Sequence, residues 1–456
     1  MDIRFLPHNS HLEEPSLFAE RDPHLRRLKE LSLVYVSPLL DRFPSKTPGI
    51  YALTGGRQIG KTTLLKQWMA RLLHDKVAPK RIAYFSGELI DDHHSLVRLL
   101  SETMDQMPSK GLCYLLLDEV TYIKDWDKGV KYLADAGTLE RVTLMISGSD
   151  LALIRESRSH FPGRRGTADQ VDFHMHPLSF QQFIALNKKL HADDISLLMS
   201  STREAGEKLF DLLYDEFKRY LAHGGFLTAI NDMTMHRRIL PATFSTYSDW
   251  IRGDVLKRNK QEHYLKEILE AIVKRYCSQV TWNALARDLS IDHPKTVADY
   301  VALLESMDAA FIQPALQENK LGPSPKKPRK LMFADPFIYH AIRAWLNPSR
   351  SPYEDQVQPA LSDPQLSARL VESVVAIHYR RRFPTYYIKA EGEVDIAYVD
   401  GKRFHPIEVK WTGQLRPKKL KQIRKYRNGL ILSKSRHPGE IMGVPSKPLP
   451  VELLQL

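Results

Sequence analysis

The sequence predicts an α/β protein, with a parallel-sheet core, a helical stretch and a second α/β unit. Three observations carry that expectation. Tyr51-Ala52-Leu53 ends in a Gly-rich turn at Gly55, and a helical pattern follows at once. Cys113 to Leu117 is an unbroken apolar run, as a strand buried on both faces of a parallel sheet requires, and it ends in Asp118-Glu119. Near the C-terminus, Glu393–Val399 and Phe404–Trp411 read as paired strands around Asp400-Gly401, a tight hairpin turn.

The chain has 456 residues, enough for two to four domains at roughly 150 residues each. Apolar residues make up 43% and charged ones 26%, so several buried cores are feasible. The formal charge of +12 points to a polyanionic partner, nucleic acid first and an anionic membrane surface second. Only two cysteines occur, Cys113 and Cys277, which suits a reducing cytoplasm and argues against a disulfide framework or a cysteine zinc site. The 18 histidines form no His-Glu-x-x-His motif and read as surface and core residues. The N-terminal residues lack the apolar stretch of a signal peptide, and no run of about 18 apolar residues suggests a membrane span.

Taken in order, residues 1–47 read as a polar arm followed by an amphipathic helix over 24–42, stopped at Phe43-Pro44. A core over 48–175 begins with the turn Gly55, Gly56, Arg57, Gln58, Ile59, Gly60, Lys61, Thr62, Thr63, which matches G-x-x-x-x-G-K-[ST]. The glycines let successive N–H groups face inward, and the following helix adds its positive end. Lys61 is expected at the β/γ-phosphates of ATP and Thr62 on Mg²⁺. The plain alternative is a glycine loop that happens to carry Lys-Thr; the strand before it and the helix after it favour phosphate binding.

Arg81–Ser86 is a strand candidate and Leu96–Met104 a helix. At the carboxyl end of the 113–118 strand, Asp118 suits the Mg²⁺ shell, and Glu119 suits orienting or deprotonating the attacking water. Alone, this ending could be a polar turn. Arg141–Ser149 is a further buried strand ending in Ser147 and Ser149, either of which could sense the γ-phosphate. In Phe161–Gly166, Arg164 or Arg165 could reach a neighbour's γ-phosphate in a homo-oligomer, or could be a solvated or DNA-facing charge.

Residues 176–258 read as a helical lid. Within 259–330, helices at Leu265–Tyr276, Trp282–Leu289 and Pro294–Glu305 have helix-turn-helix spacing, and Phe311–Leu316 suits a wing strand. Lys295 and Thr296 open the third helix, where base or phosphate contacts would come from; a structural three-helix module is the alternative. Gln317–Lys330 reads as a Pro- and Lys-rich linker.

The last part, 331–456, holds a second constellation. A helix over Ala368–Tyr379 carries Glu372, one strand carries Asp395, and its partner carries Glu408 and Lys410 on one face. Asp395 and Glu408 are hard oxygen ligands for Mg²⁺, Lys410 can stabilise developing charge, and Glu372 can complete the site. A basic helical segment with Arg416, Lys418, Lys419, Lys421, Arg424, Lys425 and Arg427 could hold a nucleic-acid backbone. The alternative is a hairpin with a salt bridge between Lys410 and its acidic neighbours.

On these motifs the chain resembles the bacterial and archaeal AAA+-type ATPases whose C-terminal domain of unknown function is a restriction-endonuclease-like PD-(D/E)xK module. Thr54–Thr63, Leu117–Glu119, Ile146–Ser149, Pro162–Arg164, Pro177–Phe180, Gly224–Phe226, Phe333–Pro336, Glu372, Glu393–Asp395 and Ile407–Lys410 carry the resemblance. It implies a P-loop core, a helical lid, a winged helix and a nuclease-like end, with ATP and Mg²⁺ as cofactors and DNA as the polyanion. The rival expectation is a nucleotide-dependent switch or scaffold that binds DNA or a protein without cutting.

Overall fold

The computed structural model describes residues 2–149, 168–200, 206–291, 293–411 and 420–456. Arg164, Arg165, Arg416, Lys418 and Lys419 lie outside them. The chain divides into two compact units, Met1–His176 and Pro177–Leu456.

The first unit is a five-stranded parallel sheet with helices between its strands. Its strands are β1 (Gly49–Thr54), β2 (Ile82–Ser86), β3 (Cys113–Asp118), β4 (Val142–Gly148) and β5 (Asp172–His174), in the order β2-β3-β4-β1-β5. Helices Lys61–His74, His93–Gln106 and Trp126–Asp135 connect them. Leu115, Leu117, Leu144 and Ile146 are buried in one core, which explains the unbroken apolar runs. The register sets Leu53 beside Ser147 and Ser86 beside Asp118, so the polar strand ends gather along one edge.

The expected helix over 24–42 does not form as one element. Asp22 caps a helix that runs only Pro23–Leu28, and a 3-10 turn follows at Pro38–Arg42. Leu31, Val34 and Val36 remain 38%, 41% and 56% exposed, so the apolar stripe finds no surface to cover, and a short helix without tertiary packing is marginal. The residues before it are not a loose arm. Phe5, Asn9, His11 and Phe18 are buried. The Asn9 amide donates to the Tyr84 carbonyl and accepts from the Tyr84 N–H, both at 2.8 Å, and so occupies the open edge of β2.

The second unit opens with helices Phe180–Asn187, Ala192–Met199, Glu207–His223, Leu227–His236 and Pro241–Lys257. Helix Glu262–Lys274, strand β6 (Gln279–Val280), helices Trp282–Arg287 and Pro294–Ser306, and strand β7 (Ala310–Pro314) follow. The 317–330 stretch is not an open linker. It contains part of β8 (Leu316–Gln317), β9 (Gly322–Pro323) and the start of β10 (Arg329–Phe333), and β10 pairs with β6 and β7 in an antiparallel sheet ordered β6-β10-β7. β10 therefore crosses the boundary expected at residue 330.

Helices Pro336–Leu346, Gln358–Ser362 and Pro364–Arg380 lead to a six-stranded sheet. Its strands are β11 (Thr385–Lys389), β12 (Glu393–Asp400), β13 (Arg403–Lys410), β14 (Leu430–Ser433), β15 (Gly439–Ile441) and β16 (Val444–Pro448), ordered β11-β12-β13-β14-β16-β15. The β12–β13 hairpin turns at Gly401, whose φ of 57° a glycine adopts freely. In the expected basic helix, the described residues hold only a 3-10 turn at Ile423–Lys425, and Leu420 and Ile423 are fully buried in the adjoining core. Among the described residues no helix is long and apolar enough to cross a membrane.

Candidate functional site

The loop after β1 is shaped for an anion. Gly55 has φ 144°, and a Cβ there would lie 2.3 Å from the Met175 carbonyl oxygen; Gly60 has φ 97° and opens the helix Lys61–His74. Neither position accepts a side chain without strain. Lys61 is buried, and its Nζ donates to the carbonyls of Gly55 (3.0 Å) and Gly56 (2.9 Å) and lies 3.6 Å from Glu119 Oε1. Arg57 donates to the Tyr122 hydroxyl at 3.0 Å, and Ile59 is buried beneath the loop. Gln58 holds φ 59°, a backbone state uncommon outside glycine.

The carboxylates expected at the end of β3 meet this loop. Asp118 is buried and accepts from three hydroxyls: Thr62 at 2.6 Å and Tyr84 at 2.7 Å on Oδ2, and Ser147 on Oδ1. Glu119 sits in the left-handed region at φ 52°, its N–H donating to Ser147 Oγ at 3.1 Å. Ser149 Oγ lies 3.4 Å from Glu119 Oε2. Lys61, Thr62, Asp118, Glu119 and both serines thus converge on one edge of the sheet. The donor set fits a nucleotide and a divalent cation: a hydroxyl and a carboxylate together, with an ammonium and a helix N-terminus beside them.

Residues 47–184 match the model of an AAA domain, and residues 214–349 match that of a domain of unknown function. The first of these spans the loop and both carboxylates. Residues 47–184 are an AAA-type P-loop ATPase domain. This AAA segment carries the parallel five-stranded sheet. An uncharacterized protein of Haemophilus influenzae is 25% identical over 273 residues, covering 57% of this chain and 61% of that protein. One of Methanocaldococcus jannaschii is 28% identical over 193 residues, covering 40% and 38%. The chain thus spans less than two thirds of either curated relative. Among solved structures, the Walker-type ATPase of Pyrococcus abyssi is similar at 14% identity, over 71% of this chain and 95% of that one, with a TM-score of 0.41.

Beyond the AAA domain, the second constellation also assembles. Glu372 on helix Pro364–Arg380, Asp395 on β12, and Glu408 and Lys410 on β13 share one partly enclosed cluster. Lys410 Nζ lies 2.5 Å from Glu408 Oε1 and 3.9 Å from Asp395 Oδ2, which also accepts the Val409 N–H at 2.9 Å. Glu393, until now part of the resemblance alone, joins the cluster, and sequence reasoning missed one further member. Lys330, at the start of β10, is fully buried, with its Nζ 2.7 Å from Glu372, 2.5 Å from Glu393 and 3.9 Å from Asp395. Its place within the run Lys326-Lys327-Pro328-Arg329-Lys330 disguised it as a solvated charge.

Electrostatics of this cluster are lopsided. Four carboxylates face two ammoniums, and Glu408 Oε2 is buried with no hydrogen-bond partner. Burial, reinforced by Asp395, pushes the Glu408 carboxyl up to about 8. Burial pushes Glu372 up to about 7 against the pull of Lys330. Burial also works against the Lys330 ammonium, but Glu372, Asp395 and Glu393 outweigh it and hold its pKa above the ordinary lysine value. Among the described residues no group of three or more His, Cys, Asp and Glu forms a metal cage.

Proposed function

We propose that this chain is a Mg²⁺-dependent ATPase directed at DNA, with a metal-dependent nuclease-like centre in its second unit. The carrying observation is the 2.6 Å link between the Thr62 hydroxyl and Asp118, beside the buried Lys61 ammonium and Glu119. In this reading the loop amides and Lys61 bind the β/γ-phosphates, and Thr62 and Asp118 hold Mg²⁺. Glu119 orients the attacking water, with Ser147 and Ser149 fixing the carboxylates. ATP turnover by the full chain, with and without Mg²⁺, tests it; no Mg²⁺-dependent turnover would overturn the hydrolytic part.

The DNA and nuclease parts rest on the second unit. The order helix, strand, helix, helix and then strands β7 to β10 over 262–333, with β10 pairing to β6 and β7, supports a winged-helix reading, with Lys295 and Thr296 at the start of its third helix. Asp395, Glu408 and Lys410 on a hairpin beside Glu372 support a PD-(D/E)xK reading: a Mg²⁺ on the two carboxylates would polarise a phosphodiester and activate water. Lys320, Lys326, Lys327 and Lys389 line one cleft of about 840 Å³, a cationic surface for a phosphate backbone. Incubation with plasmid and with forked and four-way DNA, scored for binding and nicking together, tests both parts.

A second reading has one observation in its favour. Lys330 already supplies a cation to Glu372, Glu393 and Asp395, as suits a centre that binds without cutting. Under this reading the protein is a nucleotide-dependent switch. Tight nucleotide binding with negligible turnover, and intact DNA after incubation with Mg²⁺, would favour it.

A further inference from the structure

The N-terminal segment reaches the Asp118 carboxylate through a buried relay. Lys66 lies one turn beyond Thr62 on the helix Lys61–His74 and has no exposed surface. Its Nζ is 3.2 Å from Asp22 Oδ2, donates to the His8 carbonyl at 2.8 Å, and stands 3.5 Å from the centre of the Tyr84 ring. Asp22 and His8 both belong to the segment that covers the β2 edge. The Tyr84 hydroxyl donates to Asp118 Oδ2 at 2.7 Å.

Each link has a physical consequence. A fully buried ammonium needs compensation, and Asp22 supplies the charge while His8 accepts a hydrogen bond. Held over the ring, the cation draws electron density from the phenol and makes its O–H a stronger donor. The Asn9 amide bonds only the main-chain N–H and carbonyl of Tyr84, so it closes the strand edge and leaves the ring to Lys66 and Asp118. Thr62 and Tyr84 share one oxygen of Asp118. When the Thr62 hydroxyl turns to a cation, Tyr84 remains as the donor that keeps that oxygen oriented.

We propose that Tyr84 is a positioning residue for the cation-binding carboxylate Asp118, and that Asp22 and Lys66 hold it in place. This rests on the reading of Asp118 as a Mg²⁺ ligand. Partners that orient a metal-binding carboxylate are worth roughly 10- to 100-fold in metal affinity or activity. Asn9, in contrast, bonds only the main chain of Tyr84 at the strand edge, not its ring or hydroxyl.

The test compares the wild-type chain with Tyr84→Phe, Asp22→Asn and Asn9→Ala. Mn²⁺ binding to the ADP complex is read by electron paramagnetic resonance, alongside ADP affinity without metal and Mg²⁺-dependent ATP turnover. Tyr84→Phe, which keeps the ring, is expected to weaken Mn²⁺ binding about tenfold with metal-free ADP affinity unchanged. Asp22→Asn shifts Mn²⁺ binding in the same direction, and Asn9→Ala lowers the unfolding midpoint without moving Mn²⁺ affinity. Should Asp22→Asn fail to fold, Tyr84→Phe alone decides. Equal Mn²⁺ affinity in Tyr84→Phe and wild type overturns the proposal, as does an equal shift in Asn9→Ala. Absent turnover in the wild type with the Mn²⁺ shift intact would overturn hydrolysis and leave the relay standing.

Discussion

The ammonium of Lys330 lies 2.7 Å from Glu372 Oε1, so a residue of the small antiparallel sheet neutralises a helix of the last α/β portion. Lys330→Met is expected to leave Glu372, Glu393 and Asp395 without their buried cation. The cost expected for breaking such a pair is about 3–5 kcal/mol. Chemical denaturation of the full chain reads it, and the double variant with Glu393→Gln should recover part of the loss. An unfolding midpoint equal to wild type in Lys330→Met would mean the cluster does not depend on this lysine.

Lys61→Ala removes the buried ammonium that stands 3.6 Å from Glu119 Oε1 in the loop. Nucleotide binding, followed by a fluorescent ATP analogue, is expected to weaken markedly. Turnover should fall about a hundredfold or more, as when a preorganised donor is lost from a phosphate site. Normal turnover in this variant would remove the phosphate loop from the mechanism.

Glu119→Gln separates binding from chemistry. The side chain stays in place at φ 52°, and Ser149 retains a partner oxygen. Affinity for ATP should stay within a few fold of wild type, while the rate of phosphate release drops by orders of magnitude. Equal losses in affinity and rate would show instead that Glu119 shapes the loop.

Asp395→Asn addresses the second centre. Any Mg²⁺-dependent nicking of plasmid should vanish, with ATP turnover in the absence of DNA unchanged. Nicking that survives this substitution would assign the cut to another site or to a contaminant.

Asp335 sets a pH dependence. It caps the helix Pro336–Leu346 and accepts the N–H groups of Gly225 at 2.9 Å and Phe337 at 2.8 Å. Burial pushes its carboxyl up to about 7, while those two donors pull the other way. The folded state therefore holds this proton more tightly than the unfolded chain does. The associated stability is fully present below about pH 4 and is lost as pH rises through 7, on the order of 4 kcal/mol in all. In Asp335→Asn, denaturation midpoints measured from pH 4 to 8 should decline less steeply than in wild type. Parallel curves for the two proteins would refute the assignment.

The sequence was most readable where function and local backbone coincide. The glycine spacing around Gly55 and Gly60, the apolar run into Asp118, and the Glu408-x-Lys410 alternation each encode their geometry within a few residues. What escaped notice depends on distant partners. Tyr84 reads as one more apolar strand residue until Asp118 is placed beside it on β3. Lys66 reads as a solvated helix charge until Asp22 and His8 arrive from the N-terminal segment. The helix expected over 24–42 failed for the converse reason: its periodicity was present, but no surface was there to receive it. Lys330 carried one weak signal, a lysine leading directly into the apolar run Leu331-Met332-Phe333, and the cationic run before it masked that signal.

The strands β6, β7 and β10 each extend a side chain toward the last α/β portion: Gln279 to Glu393, Gln313 to the carbonyls of Tyr386 and Asp395, and Lys330 to the acidic cluster. Laboratory truncation is where this matters. A cloning junction placed in the Lys-Pro run would look natural on paper, yet it would strip three polar plugs from the fragment downstream. Separate production of that fragment should give insoluble material unless the piece beginning near residue 259 travels with it.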